Sequence, residues 1–159
     1  MDQPNIEVVE VVSKAFESAK GPAAFRFPET GWWYEMEGRT IAKALLHLDS
    51  EDLEYRDIIR EMDGSFLPAW TTGEGLLWLL PGILRVCFES APKDGDDLLQ
   101  RLFTELHERI TKGDITLTSA QSRSLLLAHE VFYCAEEFAW NPDNHSHPLC
   151  DLLKQSSQS

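Results

Sequence analysis

The chain has few cysteines, few cations and no long uninterrupted apolar run, and each shortage removes a class of function. Its three cysteines, Cys87, Cys134 and Cys150, are an odd number at wide spacing. They read as free thiols in a reducing compartment, not as a disulfide frame. Against 27 Asp and Glu there are only 14 Lys and Arg, a formal net charge of −13. Nucleic-acid binding draws most of its affinity from basic side chains meeting phosphates, so neither nucleic acid nor an anionic membrane surface is an expected partner. The deficit divides evenly, 7 basic against 14 acidic residues up to Asp63 and 7 against 13 from Gly64 onward, so no acidic tail carries it. A basic protein partner is the natural complement, although bacterial cytosolic proteins are often acidic for solubility alone. The first residues, Met-Asp-Gln-Pro-Asn-Ile-Glu, have neither a positive n-region nor an apolar h-region. The expectation is therefore a cytoplasmic protein without a secretory leader.

What is present is a dense apolar stretch, residues 66 to 88, set in an otherwise acidic chain. Thr71 with Glu74 three residues later fits the S/T-x-x-E capping box, with Thr72 as the alternative cap. Leu76, Leu77, Leu79 and Leu80, then Ile83, Leu84, Val86 and Phe88, make the helix that follows apolar almost all round, which predicts burial. Pro81-Gly82 predicts a kink or a restart within it. A membrane span needs about 20 apolar residues with few charges, and the run between Glu74 and Arg85 is too short and interrupted for that.

Around this element the periodicity is helical. Asn5–Ala19 places Ile6, Val9, Val12 and Phe16 on one face, with Val8 and Val11 widening it. Arg39–Leu48 does the same through Ile41, Ala44, Leu45 and Leu48. Glu51–Met62 is expected as a helix with Leu53, Ile58 and Ile59 inward and an acidic outer face. After a turn at 91–95, Asp96–Ile110 carries the stripe Leu98, Leu99, Leu102, Phe103, Leu106 and Ile110. Thr118 with Gln121 is a second capping box, opening a helix expected to reach about Trp140 before Asn141-Pro142 stops it. A short helix is expected at Pro148–Lys154. No hairpin signal or internal repeat stands out. The predicted class is all-α: a single-domain bundle, residues 1–154, of six or seven helices around a kinked buried helix at about 72–89, with a frayed tail at 155–159.

The run Thr72-Gly-Glu74-Gly-Leu76-Leu-Trp78-Leu-Leu80-Pro81-Gly82 resembles a motif of a bacterial family of small all-α proteins of unknown function, in which Thr-x-Glu opens a helix running through an aromatic residue into Leu-Pro-Gly or Leu-Pro-Ala. The likeness extends over about residues 66–139, where Leu117, Thr118 and Gln121 match a Leu-Thr-x-x-Gln helix start. It implies a helical fold and transfers no site.

A search for chemistry returns little. His145, His147 and Cys150 are the most metal-like cluster, with His129, Cys134 or Asp143 as distant supplements, but the spacing fits no established zinc pattern and no metal or other cofactor is expected. His129-Glu130 lacks the second histidine of H-E-x-x-H, since Tyr133 stands there. Cys134 with His129 is conceivable as nucleophile and base, but a buried inert thiol fits its aromatic surroundings better. Glu136-Glu137 and Asp96-Asp97 point to different sides of their helices, and Gly73-Glu-Gly75 has neither the lysine nor the strand of a phosphate loop. No enzyme is expected.

The remaining candidate surface is a loop, Gly21–Gly38, that combines prolines and glycines with Phe25, Phe27, Trp32, Trp33 and Tyr34. Such a loop either folds back as a lid on the core or forms a contact patch, and the lid is favoured because exposed aromatic patches invite aggregation. With the acidic residues Asp49, Glu51, Asp52, Glu54 and Asp57, it suggests a protein-binding module of the immunity or antitoxin type: Trp32, Trp33 and Tyr34 as the contact set, a tryptophan as anchor, and the acids occluding a basic site on a toxin. The alternative is a small enzyme or ligand-binding protein with a pocket beside Pro81, lined by Trp70, Trp78 and the aromatic loop.

Overall fold

A computed structural model describes residues 1–135, 138 and 146–158. The architecture is all-α, with seven α-helices among the described residues: α1 (Gln3–Ala15), α2 (Arg39–Leu46), α3 (Tyr55–Ile58), α4 (Gly73–Glu89), α5 (Pro92–Thr111), α6 (Ser119–Tyr133) and α7 (Leu149–Ser156). A π-helical turn, Tyr34–Gly38, leads into α2, and a 3-10 turn, Leu67–Trp70, precedes α4. The chain divides into two compact units, Met1–Glu17 with Leu84–Ser159, and Ser18–Ile83.

In the unit formed by the two ends of the chain, α1 packs on α6, and α7 on α5 and α6. The buried face of α1 is Val8, Val12 and Phe16, a strict i, i+4, i+8 line. Ile6 and Val11, both expected to line that face, are exposed instead, because a line this narrow excludes their flanks. The stripe expected on α5 is buried from Leu98 to Leu106, while Ile110 is half-buried. α5 starts at Pro92, earlier than expected: a proline in the first turn has no N–H to lose and its φ is already helical, so the apparent turn is the helix start. α6 opens with the predicted capping box, Thr118 Oγ1 accepting the Gln121 N–H at 3.1 Å and Gln121 Oε1 accepting the Thr118 N–H at 3.0 Å. It ends at Tyr133, and the predicted stop at Asn141-Pro142 lies outside the described residues. α7 continues through Gln155 to Ser156, into the tail expected to fray.

In the Ser18–Ile83 unit the core is Ile41, Leu45, Leu48, Leu53, Ile58, Leu67, Leu76, Leu79, Leu80 and Ile83, all buried. α4 is buried as predicted and runs through Pro81 without interruption. Its cap is Thr72, whose Oγ1 accepts the Gly75 N–H at 3.1 Å. Thr71 is not the cap. It is fully buried, and its hydroxyl accepts the Ala24 N–H at 3.1 Å and donates to the Ala24 carbonyl at 3.0 Å.

The expected helix Glu51–Met62 is corrected to four residues, Tyr55–Ile58. Asp57 Oδ2 accepts the Glu54 N–H at 2.9 Å, which places the helix start at Tyr55. Ile59 is already extended and pairs with Phe66 in an antiparallel bridge, closed by the Arg60 N–H donating to the Ser65 carbonyl at 3.0 Å. Gly64 turns the chain there at φ +68°, a region that favours glycine. The Asp63-Gly64 dipeptide is a turn signal that the helical reading of 51–62 passed over.

Candidate functional site

Every residue proposed from sequence for partner binding lies in the Ser18–Ile83 unit. The backbone holds the aromatic loop first. Thr71, through its hydroxyl, and Thr72, whose N–H donates to the Ala24 carbonyl at 2.8 Å, grip residue 24, and the Arg26 N–H donates to the Trp70 carbonyl at 3.0 Å. Phe25 and Thr71 form an antiparallel bridge. Gly75 makes this possible: a Cβ there would overlap the Thr71 hydroxyl and press on the Ala23 Cα.

That pairing assembles an aromatic cluster. Trp33 lies 5.2 Å from Trp70 with planes 17° apart, and Phe25 lies 6.2 Å from Trp33 and 6.4 Å from Trp70, nearly parallel to both. Phe27 meets Phe25 and Trp70 edge-on, and Tyr34 lies 5.9 Å from Phe25. Arg26 sits 4.6 Å over the Phe27 ring, a cation–π contact. Most of the loop's aromatics are thus turned onto one another. Trp32 is the exception at 77 % exposure, followed one turn later by Met36 at 64 %. Of the three predicted contact residues, Trp33 and Tyr34 are half-buried support, and Trp32 alone is presented to solvent.

The acids Asp49, Glu51, Asp52, Glu54 and Asp57 do not form the expected helical face, because the helix they were assigned to starts only at Tyr55. They lie on a turn. Asp49 Oδ1 accepts the Glu51 N–H at 2.9 Å, and the Asp52 N–H donates to the Asp49 carbonyl at 3.1 Å. Glu54 pairs with Arg56 at 2.9 Å, and Asp57 is occupied in starting α3. Asp49, Glu51 and Asp52 are exposed, and they carry the turn's outward negative charge. The turn is fastened to α4, where Ser50 Oγ accepts the Gly82 N–H at 3.2 Å and a Cβ at Gly82 would overlap the Ser50 carbonyl. Further along, Asp63 is held below the usual carboxylate range by the Ser65 hydroxyl at 2.7 Å and then by the Ser65 N–H at 3.0 Å.

The alternative pocket beside Pro81 would need its rings turned toward a shared space. Trp70 is packed against Trp33 and Phe25, and Trp78 lies so close to Gly21 that a Cβ there would overlap its indole. Clefts of about 420 and about 470 Å³ lie in the other unit, the first along Ile110, Ile115, Leu152 and Leu153, the second along His129, Tyr133 and Cys150.

No family model matches the chain, and no similar curated protein or solved structure is found.

Cys134 is exposed at the end of α6, not buried as expected; the buried thiol is Cys87, which burial pushes far above the ordinary range. The Tyr133 hydroxyl donates to Asp96 Oδ1 at 2.5 Å and accepts from Gln100 Nε2 at 2.7 Å. Burial, and then the Asp96 carboxylate, raise its phenol above the usual range. Among the described residues no group of three or more His, Cys, Asp or Glu could hold a metal ion; Asp143 and His145 lie outside them, as do Glu136 and Glu137. Among those residues, too, no helix is long and apolar enough to cross a membrane.

Proposed function

We propose that the chain is a cytoplasmic protein-binding module of the immunity or antitoxin type, which neutralises a basic toxin by covering its active site. The observation that carries this reading is Trp32: a large indole left at 77 % exposure while Phe25, Trp33 and Trp70 of the same unit pack on one another. An aromatic side chain has only two torsions to fix on binding and is the typical anchor of a tight interface. The second element is the turn bearing Asp49, Glu51 and Asp52. The π-turn Tyr34–Gly38 and α2 separate this turn from Trp32 along the chain.

In this mechanism the net charge of −13 speeds encounter with a basic surface, Trp32 fills a pocket beside the toxin's cationic site, and the acidic turn satisfies those cations in the substrate's place. Catalysis, metal, cofactor and nucleic acid have no part in it. The test is co-expression with the product of the adjacent reading frame. If that product arrests growth, the wild-type chain restores it, and Trp32→Ala combined with Asp49→Lys and Asp52→Lys does not. Growth arrest that the wild-type chain leaves unrelieved contradicts the reading.

A further inference from the structure

The N-terminus of α7 is closed by a histidine. Pro148 has no N–H, so Leu149 supplies the first donor of the helix, and His147 Nδ1 accepts it at 3.0 Å. The next N–H, that of Cys150, donates to the His147 carbonyl at 3.0 Å. A ring nitrogen that accepts must carry a lone pair, so the neutral ring holds its proton on Nε2, which donates to Thr104 Oγ1 of α5 at 3.1 Å. The same ring meets Phe103 edge-on at 5.7 Å. One imidazole therefore caps α7 and ties it to α5.

The groups around it oppose a positive charge. His107 on α5 lies 6.4 Å away, and His129 on α6 stacks on Phe103 at 5.3 Å. Both act to disfavour protonation of His147, and Asp151 and Lys154 of α7 act on Cys150 instead. Two further contacts hold the far end of α7, the Ser122–Ser156 hydroxyl pair at 2.5 Å and Arg123 donating to the Ser157 carbonyl at 3.2 Å; neither involves a group that titrates between pH 5 and 8.

We propose that His147 is a pH-sensitive latch that holds the start of α7 on α5 and α6 at neutral pH and releases it under mild acid. Protonation at Nδ1 removes the acceptor of the Leu149 N–H and sets one N–H against another. It also places a cation near the His107 ring, 6.4 Å away. Desolvation, and then His107 and His129, lower the ring's pKa below 6.5. Released or unfolded forms therefore bind the proton more readily than the docked form. The docked state keeps its full stability above about pH 6.5 and loses it as pH falls from there through the lowered value, by about tenfold in the opening equilibrium for each unit of lowering. The latch is independent of the proposed partner.

Amide exchange of the whole chain, corrected for intrinsic rates, tests it between pH 7.5 and pH 5. Protection at Leu149 to Leu153 falls several-fold on acidification in the wild-type chain, while the α5 core amides at Leu102 and Leu106 keep theirs. In His147→Asn the side-chain oxygen can still accept the Leu149 N–H but cannot titrate, and the step disappears. An NMR titration of the His147 ring provides a second readout, with a midpoint below 6.5. Protection at α7 that is flat across this range in the wild type, an equal step in His147→Asn, or a ring midpoint at or above 6.5 overturns the proposal.

Discussion

Ser50 and Gly82 meet backbone to side chain and backbone to backbone: the Ser50 hydroxyl accepts the Gly82 N–H at 3.2 Å, and the Ser50 carbonyl occupies the place where a Cβ of residue 82 would stand. The acidic turn thus rests on α4 at the one residue type that leaves room for it, next to Pro81. Gly82→Ala should force the turn away, at a cost of about 1–3 kcal/mol in urea unfolding, with faster amide exchange at 49–53. Ser50→Ala, which removes only the acceptor, should cost about 1 kcal/mol. Equal stability of Gly82→Ala and wild type would show that the turn is not seated there.

Thr71 has the same role for the aromatic loop. Thr71→Val keeps the shape but removes both hydrogen bonds to Ala24, and should destabilise by about 1–3 kcal/mol. Because Phe25 carries the loop onto Trp70 and Trp33, the tryptophan emission of the variant should shift to the red, which fluorescence at neutral pH would detect.

Arg109 is a buried cation, 1 % exposed, held by Glu105 at 2.7 Å and Asp114 at 3.4 Å. Glu105 is itself nearly enclosed and Asp114 half exposed. Glu105→Ala should therefore cost about 3 kcal/mol, because it removes the shorter and better enclosed ion pair of a cation held out of water, whereas Asp114→Ala should cost less than about 1 kcal/mol. Chemical denaturation separates the two, and reversed magnitudes would refute the assignment.

Much of the helical framework could be read from the residues, and the reasons differ by element. α4 and α5 announce themselves through apolar content and period, and α6 through Thr118 and Gln121, whose reciprocal bonds form as their spacing predicts. The misreadings occur where a local signal competed with periodicity. At 51–62 the inward spacing of Leu53, Ile58 and Ile59 suggested a helix, yet the Glu54–Asp57 start and the Asp63-Gly64 turn leave it only four residues. Thr71 and Thr72 are equally good caps by residue type. What separates them is a partner 47 residues away in sequence, Ala24, which no local pattern reveals. The aromatic loop likewise divides between lid and contact patch: neighbours Trp32 and Trp33 have opposite fates because the Phe25–Thr71 bridge brings Trp70 beside one of them only.

Trp32 separates binding from folding. Being exposed and peripheral to the ring cluster, it should be replaceable by alanine with a change in stability within about 0.5 kcal/mol. The central claim is tested most directly by surface plasmon resonance of the purified chain on the immobilised product of the adjacent reading frame. The account predicts tight binding whose on-rate falls with salt, a Kd raised at least about 20-fold by Trp32→Ala, and an on-rate lowered about tenfold by Asp49→Lys with Asp52→Lys. An unchanged Kd for Trp32→Ala, or no binding at low salt, would contradict it.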